Sequence, residues 1–341
     1  MTTDKLIQRA TDFWNKQERY LVSVYSEKYQ YRQCCNDQTI LESAPGHVAH
    51  QRSLPGVNFP TFFADFGTVT NGTFWGGKPR RDSTGENIFL DPVAQTIDEA
   101  LALDIMPPDH PDLDAARALR LFRELRSRPE LEDLWFRTTD FQGPLNTAGL
   151  VLKEEELFVA MYTDPGKVHA FLAKVTDFLV ELGRYFMRES GSRVCGNIWP
   201  YTFLPCDLGL SITEDLMPLL SPEQYREFGI PYVKRLADEF GSLLIHCCGP
   251  WGRHVENLAA AGINICGVEF HYPFTRIEEL APLADTTVFV PYLMVEKQNE
   301  FKSHAEYYDH LLMTTGDNYR YWFPFYFENG ESLQFAKDHG F

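Results

Sequence analysis

The stretch Leu243-Leu244-Ile245-His246-Cys247-Cys248-Gly249 decides the fold. Three apolar residues run into an imidazole and two thiols, and a glycine ends the run. A short apolar run closed by a turn residue reads as a buried strand. Similar runs stand on both sides of it: Phe59–Phe66, Leu134–Asp140, Val194–Trp199 and Leu208–Thr213 before, and Asn264–Phe270, Thr287–Leu293 and Tyr319–Phe325 after. Helical patterns fill most of the gaps. The clearest is Asp164–Arg188, with Val168, Phe171, Leu172, Val175, Phe178, Leu179 and Leu182 at helical spacing behind an Asp164-Pro165 start. Ser221-Pro222-Glu223 opens another helix, and Gly262 closes a third. Strands alternating with helices predict a (β/α)8 TIM-type barrel, here one catalytic domain over 59–341. Residues 1–58 read as an N-terminal helical extension. Its helix over 2–19 carries Leu6, Ile7, Ala10, Phe13 and Trp14 on one stripe, and 20–58 shows no regular pattern. One gap departs from the ideal, since the step from Trp199 to Leu208 is too short for a crossover helix.

In such a barrel, chemistry sits at the C-terminal ends of the strands. The polar residues found there are His246 and Cys248 on the fifth run, Glu269 and His271 on the sixth, and Glu214 and Asp215 after the fourth. Asn197 lies within the third run, Asp65 ends the first, and Cys206 and Asp207 precede the fourth. His246 and Cys248 are two apart on an extended segment, so both face one side, while Cys247 faces the other. An imidazole beside a thiol makes half of a zinc site, and Glu269 on the next run reaches the same point. On spacing alone, a satisfied core histidine and inert buried thiols account for the pattern equally well. Asp215 and Glu214 are candidate pocket acids, though carboxylates also favour the start of the helix that follows. The aromatic residues from Tyr319 to Phe327 are core by default, with some of them on the inward face.

Composition narrows the class. The chain has 341 residues, is 44% hydrophobic and 23% charged, and carries a net charge of −17. Such a surface repels phosphate backbones, so no nucleic-acid partner is expected. No apolar stretch approaches the ~20 residues a membrane span needs. No secretory signal opens the sequence, and seven cysteines make an odd set. Together these point to a reducing, cytoplasmic compartment with free or metal-bound thiols. Gly76-Gly77-Lys78-Pro79 is a turn rather than a phosphate loop.

Three further segments accompany the His246 run. They are Phe141-Gln142-Gly143-Pro144-Leu145-Asn146-Thr147, Asp164-Pro165-Gly166-Lys167-Val168-His169, and Leu220-Ser221-Pro222-Glu223-Gln224-Tyr225-Arg226-Glu227-Phe228 with Pro231-Tyr232. With Ile245-His246-Cys247-Cys248-Gly249, these resemble the uroporphyrinogen decarboxylase superfamily over roughly residues 60 to 330. The resemblance implies a (β/α)8 barrel and one of two chemistries: decarboxylation without a cofactor, or methyl transfer between a corrinoid protein and a small donor or acceptor. The arginine-rich segment of the decarboxylases is absent, Arg80-Arg81 being the nearest basic pair. The resemblance therefore leans to the methyltransferases and demethylases, which use the His-x-Cys pair as zinc ligands. Those enzymes usually supply a further late cysteine, and here no cysteine follows Cys266. Glu269 takes its place in this reading, as a glutamate does in the related zinc site of cobalamin-independent methionine synthases.

The resemblance thus implies zinc held by His246, Cys248 and Glu269, with Asp215, Glu214 and Asn197 as catalytic candidates. The implied partners are a corrinoid protein and a small methyl donor or thiol acceptor, with a homodimer left open. The competing readings are a metal-independent carboxy-lyase and a non-catalytic binding barrel.

Overall fold

A computed structural model describes residues 3–26, 31–32, 35–82, 88–191, 193–196 and 202–341. Its strands in chain order are β1 (Tyr20–Val24), β2 (Tyr31–Arg32), β3 (Thr61–Phe62), β4 (Ala64–Asp65), β5 (Pro79–Arg81), β6 (Ile88–Leu90), β7 (Trp135–Arg137), β8 (Val194–Cys195), β9 (Leu210–Thr213), β10 (Leu243–Cys247), β11 (Ile265–Tyr272), β12 (Val288–Leu293) and β13 (Arg320–Phe325). Every predicted run contains strand. Six strands pair in the order β1-β13-β12-β11-β10-β9, and three more in the order β3-β7-β8, all parallel. The two arcs meet along both edges. On one side, the Val57 N–H donates to Val22 O at 2.7 Å, and the Val24 N–H donates to the Asn58 side chain at 3.1 Å. On the other, Gln142 bridges to Thr213, and Gly196 lies so close to Ser211 that a Cβ there would fall 1.9 Å from its hydroxyl. This is the α/β architecture expected from the runs.

The N-terminal region departs from the expected helical extension. Tyr20–Val24 is a strand of the main sheet, in register with Tyr321–Phe325. Behind it, Asp37–Ser53 is a helix capped by Asn36, whose side chain accepts from the Thr39 N–H. Pro45 and Gly46 in its middle erase the propensity signal. Burial of Ile40, Ala44, Val48 and Gln51 holds it in place.

The short step after β8 has a simple structure among the described residues. The chain doubles back, with the Gly196 N–H on Leu204 O and the Cys206 N–H on Val194 O, both at 3.0 Å. The long helix runs Pro165–Glu189 with Asp164 at its N-cap as expected, but the Asp164 side chain makes no capping hydrogen bond. Its carboxylate pairs instead with Lys167 at 3.2 Å.

Alternation along the strands builds two cores. Ile245 and Cys247 pack outward against the helices. Leu244 packs inward with Leu21, Phe59, Cys195, Val288, Val290 and Trp322. The helix Thr3–Trp14 fills this interior from the N-terminal side with Ala10, Phe13 and Trp14. Trp14 stacks on Trp322 at 5.7 Å, and its Nε1–H donates to Phe203 O at 2.7 Å. The floor of the barrel is therefore closed and apolar, which leaves the C-terminal end as the mouth. Among the described residues, no helix is long and apolar enough to cross a membrane.

Candidate metal and active site

One step up from that floor the same strands turn polar. His246 follows Leu244 on the inward face of β10, and its register partners are Glu269 on β11 and Thr213 on β9. Two residues further along β11, His271 stands opposite Tyr292 of β12. Asp215 follows β9, and Cys248 follows β10. Parallel register alone thus collects groups far apart in sequence at one rim.

His246 has an acidic neighbour on each nitrogen. Nδ1 contacts Glu269 Oε2, and Nε2 lies 3.7 Å from Asp215 Oδ1. Asp215 Oδ1 also accepts the backbone N–H of Cys248 at 2.9 Å, which ties the loop after β10 to the loop after β9. The second oxygen of Glu269 pairs with His271 Nε2 at 2.9 Å. Among the described residues, the ligand atoms fall into two groups, each within 4.8 Å: Asp215, His246 and Cys248, and His246, Glu269 and His271. His246 belongs to both.

The electrostatics follow from this packing. Burial opposes charge on His246, yet the Glu269 and Asp215 carboxylates hold its pKa well above the ordinary imidazole value. Burial would likewise raise Glu269, but His246 and His271 keep it below the usual carboxylate value. At Cys248 a hydrogen bond with His246 favours the thiolate; burial and Asp215 outweigh it and push the thiol up.

The expected site residues divide accordingly. His246 meets Glu269 at one nitrogen and Asp215, with Cys248 beside it, at the other, so Cys248 and Glu269 fall into separate groups that share His246. Glu214 follows Ile212 in the alternation and is fully buried, with its carboxyl packed against Gly143. A Cβ on Gly143 would lie 2.0 Å from Glu214 Oε1, so only glycine fits. Burial pushes the Glu214 carboxyl up to about 8, with Asp215 adding to the rise. Asn197 lies outside the described residues. Of the other acid and thiol candidates, Cys206 is buried in the outer core.

Two participants carried little weight in the sequence. His271 is a close neighbour of Glu269, and Tyr292 braces it with ring centroids 4.7 Å apart. Alternation along β11 and its pairing with β12 are the signals that point to them.

Comparison with known proteins accords with this geometry. Residues 138–290 match the family "Uroporphyrinogen decarboxylase (URO-D)". A methylated-thiol–coenzyme M methyltransferase of Methanosarcina mazei is 30% identical over 123 residues, which is 36% of this chain and 30% of that protein. The chain thus aligns with under a third of that relative's length. A solved structure, a methyltransferase from Methanosarcina mazei, shares the fold with a TM-score of 0.64 at 11% identity, over 98% of this chain and 97% of that one. The segment that supplies Asp215, His246, Cys248 and Glu269 thus lies within the residues that match the uroporphyrinogen decarboxylase family, and the chain is similar to proteins that carry the name methyltransferase.

Proposed function

We propose that the protein is a zinc-dependent methyltransferase that moves a methyl group between a small methyl donor or thiol acceptor and a corrinoid carried on a partner protein. The observation that carries this reading is the single imidazole, His246, set between two carboxylates and beside a thiol at the barrel mouth. Nitrogen, sulfur and oxygen donors in one place suit zinc.

His246 and Cys248 would supply nitrogen and sulfur. Glu269 is the proposed oxygen donor rather than Asp215. Glu269 is fully buried, where an uncompensated carboxylate is most costly, whereas Asp215 is partly exposed and already bonded to the Cys248 N–H. When bound, zinc supplies Lewis acidity, lowering the pKa of a thiol or polarising the oxygen of a methyl ether or alcohol. Asp215 stands on the Cys248 side as the acid or base nearest the open face. The fully buried floor beneath Leu244 and Trp322 confines exchange with solvent to the mouth.

Support for a macromolecular partner comes from the rim. Leu219, Phe274, Val295 and Phe327 are all exposed, and each lies on the loop after a barrel strand: β9, β11, β12 and β13 respectively. Apolar side chains gathered around one opening are a common mark of an interaction site.

The test is metal content and affinity. Wild-type protein purified without a metal-binding tag should hold about one zinc per chain. Glu269→Gln should weaken zinc binding more than Asp215→Asn does. Wild-type protein that takes no zinc would sink the reading and favour the metal-independent lyase.

A further inference from the structure

We infer that His271 is a positioning residue, one that holds Glu269 to a single free oxygen and so keeps the metal site open to substrate. The inference rests on the metal reading above and adds to it a role for a residue outside the proposed ligand set.

Glu269 has two oxygens and two imidazole neighbours. Oε2 meets His246, and Oε1 pairs with His271 Nε2 at 2.9 Å. Glu269 is fully buried and His271 nearly so, so neither group is offered water as an alternative partner. His271 is braced on its far side. Tyr292, its register partner, packs on the ring at 4.7 Å, and Tyr292 is itself held edge-on by Tyr326 at 4.6 Å and by the tilted ring of His304 at 5.1 Å. The His246 and His271 rings lie 5.5 Å apart and nearly perpendicular, at 77°, so both can address the one carboxylate without stacking.

The consequence for coordination is specific. A carboxylate with both oxygens free can bind a metal through two atoms and fill a position. With Oε1 held at ion-pair distance from the His271 imidazole, Glu269 presents one oxygen. Together with His246 and Cys248 this makes three ligand atoms, one fewer than a closed tetrahedral site. Outer groups that fix a ligand in this way typically contribute 10–100-fold in metal affinity.

The test uses the full chain with zinc and with cobalt(II) as the spectroscopic probe. His271→Leu removes the polar imidazole that faces Oε1 while filling much of the space, and His271→Gln restores a polar group there. Zinc affinity, measured by competition with a chelator, should fall about 10–100-fold in His271→Leu and recover most of that loss in His271→Gln. The cobalt d–d bands, intense for four-coordinate cobalt, should weaken in His271→Leu as Glu269 turns bidentate and coordination rises. They should return in His271→Gln. If His271→Leu fails to fold, Tyr292→Leu, which removes only the brace, should shift both readouts the same way by a smaller amount. Wild-type affinity and spectra in the variants would overturn the inference and leave the metal reading intact. Loss in His271→Leu without rescue in His271→Gln would overturn it too, by making His271 a ligand. Wild-type protein that binds neither zinc nor cobalt would overturn both.

Discussion

The floor and the mouth of the barrel are built by the same strands, two residues apart, and share almost no chemistry. On β10 the inward residue changes from Leu244 to His246, and on β12 from Val290 to Tyr292. Below, side chains meet as hydrocarbon and aromatic rings, sealed by the helix Thr3–Trp14. Above, they meet as imidazole, carboxylate and thiol. The difference teaches that the strand fixes position for both ends, while of the two layers only the lower one contributes apolar burial. Groups that need a cation or a proton can then stand on a foundation they do not themselves supply.

The strongest way to break that comparison is to cut into the floor. Trp322→Ala removes a fully buried indole that stacks on Trp14 and donates to Ser23 Oγ at 2.8 Å. The expected loss is about 3–5 kcal/mol of unfolding free energy by denaturant titration. The fraction that stays folded should still bind zinc with wild-type stoichiometry. Loss of zinc from folded Trp322→Ala protein would show that the layers are not independent.

Acid sharpens the comparison from outside the barrel. His254 is buried beside Tyr225, on the segment that follows β10. Burial, helped by the neighbouring Arg253 charge, lowers its pKa to about 4, so the folded state prefers the neutral ring. Its contribution to stability is then fully present above about pH 6.5 and is lost as pH falls towards 4. Allowing for solvent screening, about 2 kcal/mol should disappear over that window. Urea midpoints of the wild type and His254→Gln at pH 7 and pH 5 measure it. A wild type that loses no more stability than the variant would rule it out.

The smallest effect tests the finest boundary, between adjacent cysteines. Cys247 is buried in the outer core and Cys248 is exposed at the mouth. Cys247→Ala should cost about 1 kcal/mol and leave zinc untouched, whereas Cys248→Ala should lose zinc with stability of the metal-free protein within about 0.5 kcal/mol. The reverse pattern in zinc analysis would place the wrong thiol in the site.

These regions were not equally legible in the sequence. The eight apolar runs are local patterns, and each contains strand. Tyr20-Leu21-Val22-Ser23-Val24 is just as apolar, but it lies outside the strand–helix rhythm, and its partner stands at the far end of the chain. No local signal records a pairing of that range. In the site, the meeting of His246 with Glu269 follows from alternation and parallel register. Asp215 and Glu214 are sequence neighbours, and the same alternation separates them. What periodicity does not carry is the burial of Glu214 against Gly143 or the grip of His271 on Glu269, because both depend on side chains supplied by other elements.

The pairing of β1 with β13 also bears on how the chain is made. Residues 20–24 leave the ribosome first, and their hydrogen-bonding edge is not satisfied until residues 321–325 follow. At ordinary rates of synthesis that interval is on the order of tens of seconds. For that time a short β-rich segment, Tyr-Leu-Val-Ser-Val, is an unpaired edge open to other chains. A nascent protein of this design depends on its helices, or on a chaperone, to shelter its first strand until its last arrives.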